Sequence, residues 1–241
     1  LRKIIYQPWG GLGDNLAHST IPEHCHNTNI PCYISKHNAY RSEEIRNFVW
    51  DNNPYLAGIK DEKDEAWMHN CKAKILPGKF ANHIEEIQDA YGFTPNTQYP
   101  RIYYTPKIIS DLKNKTLIDL SAHSIGNHYS GESLKQEIKK IIDELKLNKS
   151  DIHMISHNVP YSITYNLSEL GQIVVNGLYH YTDILASAKN FITLYSGAAT
   201  LAATVKNMLQ SDLTIKVFSF QWIKDSCCYN YANTDYIILG P

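Results

Sequence analysis

Two glycine-bearing junctions carry residue types and spacings suited to chemistry. The first, Gly10-Gly11-Leu12-Gly13-Asp14-Asn15, follows the apolar run 3–7 and opens a helical stretch. Glycine there lets the chain turn sharply and lets a ligand approach with no Cβ in the way. Asp14 adds a carboxylate able to take a proton. The second, Tyr195-Ser196-Gly197-Ala198-Ala199-Thr200, follows 191–194 and also opens a helix. Small residues at a helix start leave main-chain N–H groups open to an anion, and the helix dipole favours a diphosphate. Neither stretch has the Gly-x-Gly-x-x-Gly dinucleotide spacing, and no Gly-Lys-Ser/Thr phosphate loop occurs. Each also has a purely structural reading. The first fits a tight turn with Asp14 as helix N-cap, the second a small-residue helix packed closely on its sheet.

The elements that must position these junctions alternate along the chain. Residues 3–7 read as a strand, 16–24 as a helix, 30–34 as a strand at a sheet edge because of Pro31, and 42–50 as a helix stopped by Asn52-Asn53-Pro54. A strand is expected at 74–76 and an amphipathic helix at 84–91, running into Gly92. The stretch 94–100, with Pro106, reads as a linker. Beyond it come a strand at 116–120, a polar loop at 121–131 and a helix at 132–145. That helix sets Leu134, Ile138, Ile141, Ile142 and Leu145 on one face. Strands at 151–156, 173–175, 191–194 and 213–218 follow, with helices at 183–188 and 198–208; the strand at 213–218 closes the series. This alternation predicts two α/β domains with parallel sheets, residues 1–108 and 109–241, the second ending in a closing C-terminal segment.

Composition bounds the function. The chain has 241 residues, 43% hydrophobic and 20% charged, which fits folded globular domains. With 23 Lys+Arg against 24 Asp+Glu, the net charge of −1 offers no global attraction to nucleic acid. No apolar stretch approaches the ~20 residues of a bilayer span, and no signal-like segment opens the sequence. Five cysteines form no disulfide framework, which reads as reduced thiols in a cytoplasmic protein. His24-Cys25-His26 with Cys32 has metal-binding residue types, but a His-x-His pair on a helix does not share a face, so no metal is expected. The run 61–65 reads as a solvated turn or helix start. Trp222, Tyr229, Tyr231 and Tyr236 are candidates for stacking on a sugar or base, or for packing in the closing segment.

Taken together, the motifs resemble glycosyltransferase family 9, the heptosyltransferases. The stretch 11–22 carries a glycine–aspartate pair after the first strand and a proline, Pro22, eight residues after the aspartate. Residues 53–58 are similar to a segment of the same half of those proteins. Residues 183–192, leading to 196–203, are similar to their donor-phosphate segment. The resemblance implies a minimal GT-B arrangement, two small Rossmann-like domains facing across a cleft. It also implies inverting, metal-independent transfer of a sugar from a nucleotide-diphosphate sugar to a glycan hydroxyl.

On this resemblance Asp14 is the general base, and a position at a helix N-terminus would keep it ionised. Gly10, Gly11, Gly13 and Asn15 form the acceptor-side loop, in an acceptor-side domain 1–108. The donor falls to domain 109–241, bound by Ser196, Gly197, Ala198, Ala199 and Thr200, with His123, Ser124, Asn127 and His128 of the 121–131 loop. In the family that loop often supplies a hydroxyl and a lysine or arginine; here it holds neither lysine nor arginine, and its histidines could substitute by hydrogen bonding. The implied partners are a nucleotide sugar as co-substrate and a glycan or glycolipid acceptor, which allows peripheral membrane contact; no further cofactor is implied. Two other readings compete. One is a non-catalytic nucleotide-sugar or glycan-binding protein on the same fold. The other is a sugar-nucleotide epimerase, disfavoured because a single candidate carboxylate stands out.

Overall fold

The computed structural model describes residues 2–71, 79–122, 128–158, 163–164, 167, 169–222 and 230–239. The chain forms two compact units, Leu1–Thr105 with Trp222–Ala232, and Pro106–Gln221 with Asn233–Pro241.

In the first unit, β1 (Lys3–Ile5), β2 (Cys32–Ser35) and β3 (Gly58–Lys60) form a parallel sheet in the order β1-β2-β3. The strand expected at the sheet edge is therefore the central one. Pro31 lies just before it, where a missing N–H costs no ladder bond, and its carbonyl accepts the Lys3 N–H at 3.0 Å. The helix expected at 16–24 is two helices, α1 (Leu12–Ala17) and α2 (Ile21–Asn27). Pro22 causes the break, because it has no N–H to reach back four residues and its ring would strike the His18 carbonyl. The Ile21 N–H takes that carbonyl instead, and the Ser19 hydroxyl donates to Leu16 O at 2.7 Å.

Helix α3 (Glu43–Arg46) continues into a π turn, Asn47–Asp51. Next comes α4 (Ala66–Asn70), begun at the acidic run where the Asp64 carboxylate accepts the Ala66 N–H. Helix α5 (His83–Ala90) starts at Asn82, whose side chain accepts the N–H groups of Ile84 and Glu85, and it stops at Gly92, held at φ 84°. Fully buried Ile5, Leu16, Ile21, Phe48, Ile84 and Ile87 fill the space between sheet and helices.

The second unit is built on β4 (Thr116–Asp119), α6 (Gly131–Glu144), β6 (Ile152–His157), β8 (Gly171–Val175), α7 (Gly177–Ser187), β9 (Asn190–Leu194), α8 (Gly197–Leu209), β10 (Thr214–Phe220) and β11 (Asp235–Leu239). Two short segments, β5 (Ser121–Ala122) and β7 (Ile163–Thr164), pair antiparallel outside the main sheet. Among the described residues the main sheet has six strands, all parallel, in the order β11-β10-β9-β4-β6-β8. Counted along the chain, that is the 3-2-1-4-5-6 order of a Rossmann sheet, with its topological switch between β4 and β9.

Three expectations are corrected here. The series closes on β11, paired Lys216 to Asp235, and not on the strand begun at residue 213. Helix α7 begins six residues earlier than expected, because burial of Tyr181 and Thr182 outweighs the middling helix propensity of its aromatic first half. Leu145 follows the end of α6 and is 38% exposed, so the buried face stops at Ile141. The strand expected at 74–76 lies outside the described residues.

Candidate functional site

In the first unit the glycine junction sits at the carboxyl end of β1, the end where ligands bind parallel α/β sheets. Gly11 is the N-cap of α1 and Asp14 its third residue, so the carboxylate lies in the first turn and not at the cap. The junction is sewn to the loop after β2. The Ala39 N–H donates to Gln7 O at 2.9 Å, and the Arg41 N–H to Gly10 O at 2.8 Å. Close approach leaves little room for a side chain at either glycine. A methyl on Gly10 would stand 2.9 Å from Arg41 N, and one on Gly11 would stand 2.6 Å from Asp14 Oδ2. The same point over Gly11 is 3.7 Å from Arg41 Nη1, so an exposed guanidinium and the partly exposed carboxylate flank one spot.

Asn15, expected to line the acceptor-side loop, is turned inward and fully buried. Its amide donates to Gly11 O at 2.9 Å and accepts the Trp50 indole N–H at 2.8 Å. It therefore fixes the junction's shape. Gly13 occupies the second position of α1, between the cap and Asp14. One turn after Asp14, buried His18 holds Asp14 O through Nδ1 at 3.0 Å. Its ring meets Trp67 at 4.6 Å, and Trp67 donates its indole N–H to Tyr6 O. Burial outweighs the carbonyl contact and, helped by nearby His83, lowers the His18 pKa to about 3, so the ring is neutral.

In the second unit the Ser196 junction leaves the carboxyl end of β9, beside β4 at the switch point. Ser196 caps α8, its hydroxyl accepting the Ala198 N–H at 3.2 Å. The N–H groups of Ala199 and Thr200 turn back to Ser196 O, and both residues are buried. The mouth of the helix is thus formed by Ser196, Gly197 and Ala198, each partly exposed. His128 is exposed and packs edge-to-face on Phe220 at the carboxyl end of β10. The next residue, Tyr129, donates its hydroxyl to Phe218 O at 2.8 Å and accepts the Tyr195 N–H at 3.2 Å. His128 and the Ser196 junction are thereby held at the same end of one sheet. His123, Ser124 and Asn127 lie outside the described residues.

Sequence reasoning missed a buried polar cluster at this end. Asp119, the last residue of β4 and 1% exposed, accepts from the Ser121 N–H at 3.0 Å, His157 Nε2 at 2.8 Å and the Tyr181 hydroxyl at 2.5 Å. The signal available was a charged residue ending an otherwise apolar strand, Thr-Leu-Ile-Asp, since such a residue is rarely buried unless paired. Its partners are 38 and 62 residues away, so spacing could not reveal them.

The other candidates resolve locally. His24 stacks on Phe93 and His26 on Tyr55, against different neighbours. Among the described residues no three His, Cys, Asp or Glu side chains gather as a metal site. A cavity of about 310 Å³ near His26, Pro31 and Tyr55 lies at the amino ends of β2 and β3, away from the glycine junction. Tyr231 is buried and stacks on Tyr99, and Tyr236 lies within β11; Tyr229 lies outside the described residues. Among the described residues no helix is long and apolar enough to cross a membrane.

No protein-family model matches the chain, and no curated protein is similar to it in sequence. Solved structures are similar in fold. The iron-containing dodecameric glycosyltransferase TibC from enterotoxigenic E. coli superposes with a TM-score of 0.64 at 14% identity, over 100% of this chain and 63% of that one. The E. coli heptosyltransferase WaaC with ADP gives 0.59 at 8% identity, covering 100% of this chain and 94% of that one. A family 9 glycosyltransferase from Veillonella parvula gives 0.56 at 10% identity, covering 99% and 85%. The chain thus spans 63% of the length of TibC and nearly all of WaaC's. Its fold, mixed α/β with parallel Rossmann-like sheets, is the fold of these glycosyltransferases.

Proposed function

We propose that the protein is a sugar transferase of the GT-B type, similar to the family 9 heptosyltransferases. In this reading it acts in the cytoplasm on a surface-glycan or lipopolysaccharide-type acceptor. The observation that carries the reading is the similarity of the whole chain to heptosyltransferase structures, two of them determined with ADP or ADP-heptose. The glycine and serine junctions at the carboxyl ends of parallel strands support it.

In this reading the second unit binds the nucleotide-diphosphate sugar. Ser196, Gly197 and Ala198 at the mouth of α8 receive the diphosphate, and the helix dipole offsets its growing charge as it leaves. His123, Ser124, Asn127 and His128 add hydrogen bonds in place of a fixed cation, and Ala199 and Thr200 shape the helix behind them. The first unit takes the acceptor beside Gly10, Gly11 and Gly13. Asp14 accepts the proton of the acceptor hydroxyl as that oxygen bonds to the anomeric carbon, and the bond from that carbon to the diphosphate oxygen breaks. A single displacement of this kind inverts the anomeric configuration, and it needs no metal where N–H groups carry the leaving charge.

Thermal-shift measurements with ADP-, GDP-, UDP- and CMP-sugars test the reading, because a ligand that binds the folded chain raises its melting temperature. One nucleotide sugar is expected to stabilise, and to be turned over when acceptor extract is added. Absence of stabilisation by every donor would refute it. The 121–131 loop, with neither lysine nor arginine, favours a second reading as a non-catalytic nucleotide-sugar binder. Stabilisation without turnover would support that second reading.

A further inference from the structure

The tryptophan that begins the glycine junction is not used by the chemistry above. Trp9 is 51% exposed, although an indole is among the groups that gain most from burial. Single exposed apolar side chains are common and need no explanation by themselves. Here, however, the surrounding structure holds the ring in place. Pro8 precedes it, and the Gln7 side-chain amide donates to the Trp9 carbonyl. Gly10 is packed without clearance against the Tyr40–Arg41 backbone and bonded to it. The Trp9 ring meets Trp67 edge-to-face, centroids 5.8 Å apart and planes at 76°. Trp67 is itself 3% exposed and tied by its indole N–H to Tyr6 O at 2.7 Å. An exposed aromatic surface is thus presented by a loop with little freedom left to lose.

Its position relative to Asp14 suggests what the ring meets. Trp9 and Gly11 are two chain steps of about 3.8 Å apart at most, and the Asp14 carboxylate lies over Gly11. A sugar ring set on the indole would therefore lie against the loop that carries Gly11 and leads into Asp14. Pyranose rings present a patch of axial C–H bonds on at least one face, with hydroxyls around the rim. A rigid indole on the loop that leads into Asp14 offers a face for the C–H patch and a carboxylate nearby in the chain for the rim. We propose that Trp9 is a carbohydrate-stacking platform that seats a pyranose unit of the acceptor glycan against the Asp14 loop. This rests on the transferase reading for the word acceptor; the sugar contact itself does not depend on it.

The test uses the full chain and three probes, methyl β-D-glucopyranoside, methyl β-D-galactopyranoside and sorbitol, followed by ligand-detected NMR. Sorbitol carries hydroxyls but no ring face. The wild type is expected to bind at least one pyranoside and not sorbitol. Trp9→Ala should weaken that binding by about tenfold or more, and Trp9→Phe, which keeps an aromatic face, by only about threefold. Far-ultraviolet circular dichroism and melting temperature, measured alongside, should be the same in all three proteins and show that each is folded. Equal pyranoside binding by Trp9→Ala and wild type would overturn the proposal. So would a wild type that binds neither pyranoside, or that binds sorbitol equally well. Failure of the transferase reading appears separately, as a wild type that binds no nucleotide or nucleotide sugar.

Discussion

The carboxylate of Asp14 folds back over the Cα of Gly11, so that a methyl group on Gly11 would stand 2.6 Å from Asp14 Oδ2. Gly11 has an ordinary extended conformation, φ −71° and ψ 155°, which any residue can adopt. Glycine is there for space, and the space is occupied by the candidate base. Gly11→Ala should therefore displace the carboxylate at a stability cost of only about 1 kcal/mol, because the obstructing atom ends a side chain that can rotate. Under the transferase proposal the transfer rate should fall by at least about tenfold through the misplaced base. Denaturant titration and kcat, read on the same preparation, check both halves.

Gly10→Ala should do the opposite. The new methyl meets main chain, Arg41 N at 2.9 Å and Tyr40 C at 3.1 Å, and main chain must move to admit it. A loss of about 1–3 kcal/mol in urea unfolding is expected. An unchanged midpoint would show that the loops after β1 and β2 are not locked together.

Asp14→Asn keeps the shape and removes the basic oxygen. Under the transferase proposal kcat should fall by about 10²–10⁴-fold, with the affinity for ADP or the preferred nucleotide sugar preserved. Titration calorimetry on the variant, beside a single-turnover assay, separates loss of a base from loss of binding. A variant turning over at the wild-type rate would remove Asp14 from the mechanism.

His18 sets part of the acid limit of stability. Its folded-state pKa is lowered to about 3 by burial, against an ordinary value of 6.5. Between those values the unfolded chain binds a proton that the folded chain refuses, so stability falls as pH falls. The slope is about 1.4 kcal/mol per unit, from pH 6.5 down towards 3. Above pH 6.5 the ring is neutral in both states and contributes no slope. His18→Phe, similar in size within the aromatic surroundings of Trp67 and Tyr91, should flatten the acid limb relative to wild type. Parallel stability curves for the two proteins between pH 4 and 6.5 would contradict this.

Asp119 anchors the switch-point end of the larger sheet. Asp119→Ala removes the acceptor shared by His157, Tyr181 and the Ser121 N–H, and should cost about 3–5 kcal/mol. Tyr181→Phe removes one of the three bonds and should cost about 1–2 kcal/mol. Chemical denaturation of both variants ranks the contributions, and equal losses would show that the tyrosine hydroxyl is the dominant partner.

The sequence by itself determined the alternation of strands and helices, because period-2 and period-3.6 apolar patterns are local and survive without tertiary context. It also marked both junctions, since Gly10-Gly11 and Ser196-Gly197 each come within a few residues of a β-type run. It misplaced features whose cause is not local. Pro31 reads as an edge signal until the strand is seen to begin one residue later, at Cys32. Asp235–Leu239 becomes a strand through its pairing with β10, and α7 gains its first turns by burying Tyr181.

The tertiary structure alone decided the sheet order, and with it the switch point that sets the Ser196 junction beside β4. It alone turned Asn15 inward and gathered Asp119, His157 and Tyr181 into one cluster. Hydrogen bonds and close contacts between residues tens of positions apart leave no periodic trace in a chain, because their geometry exists only once the strands between them have paired.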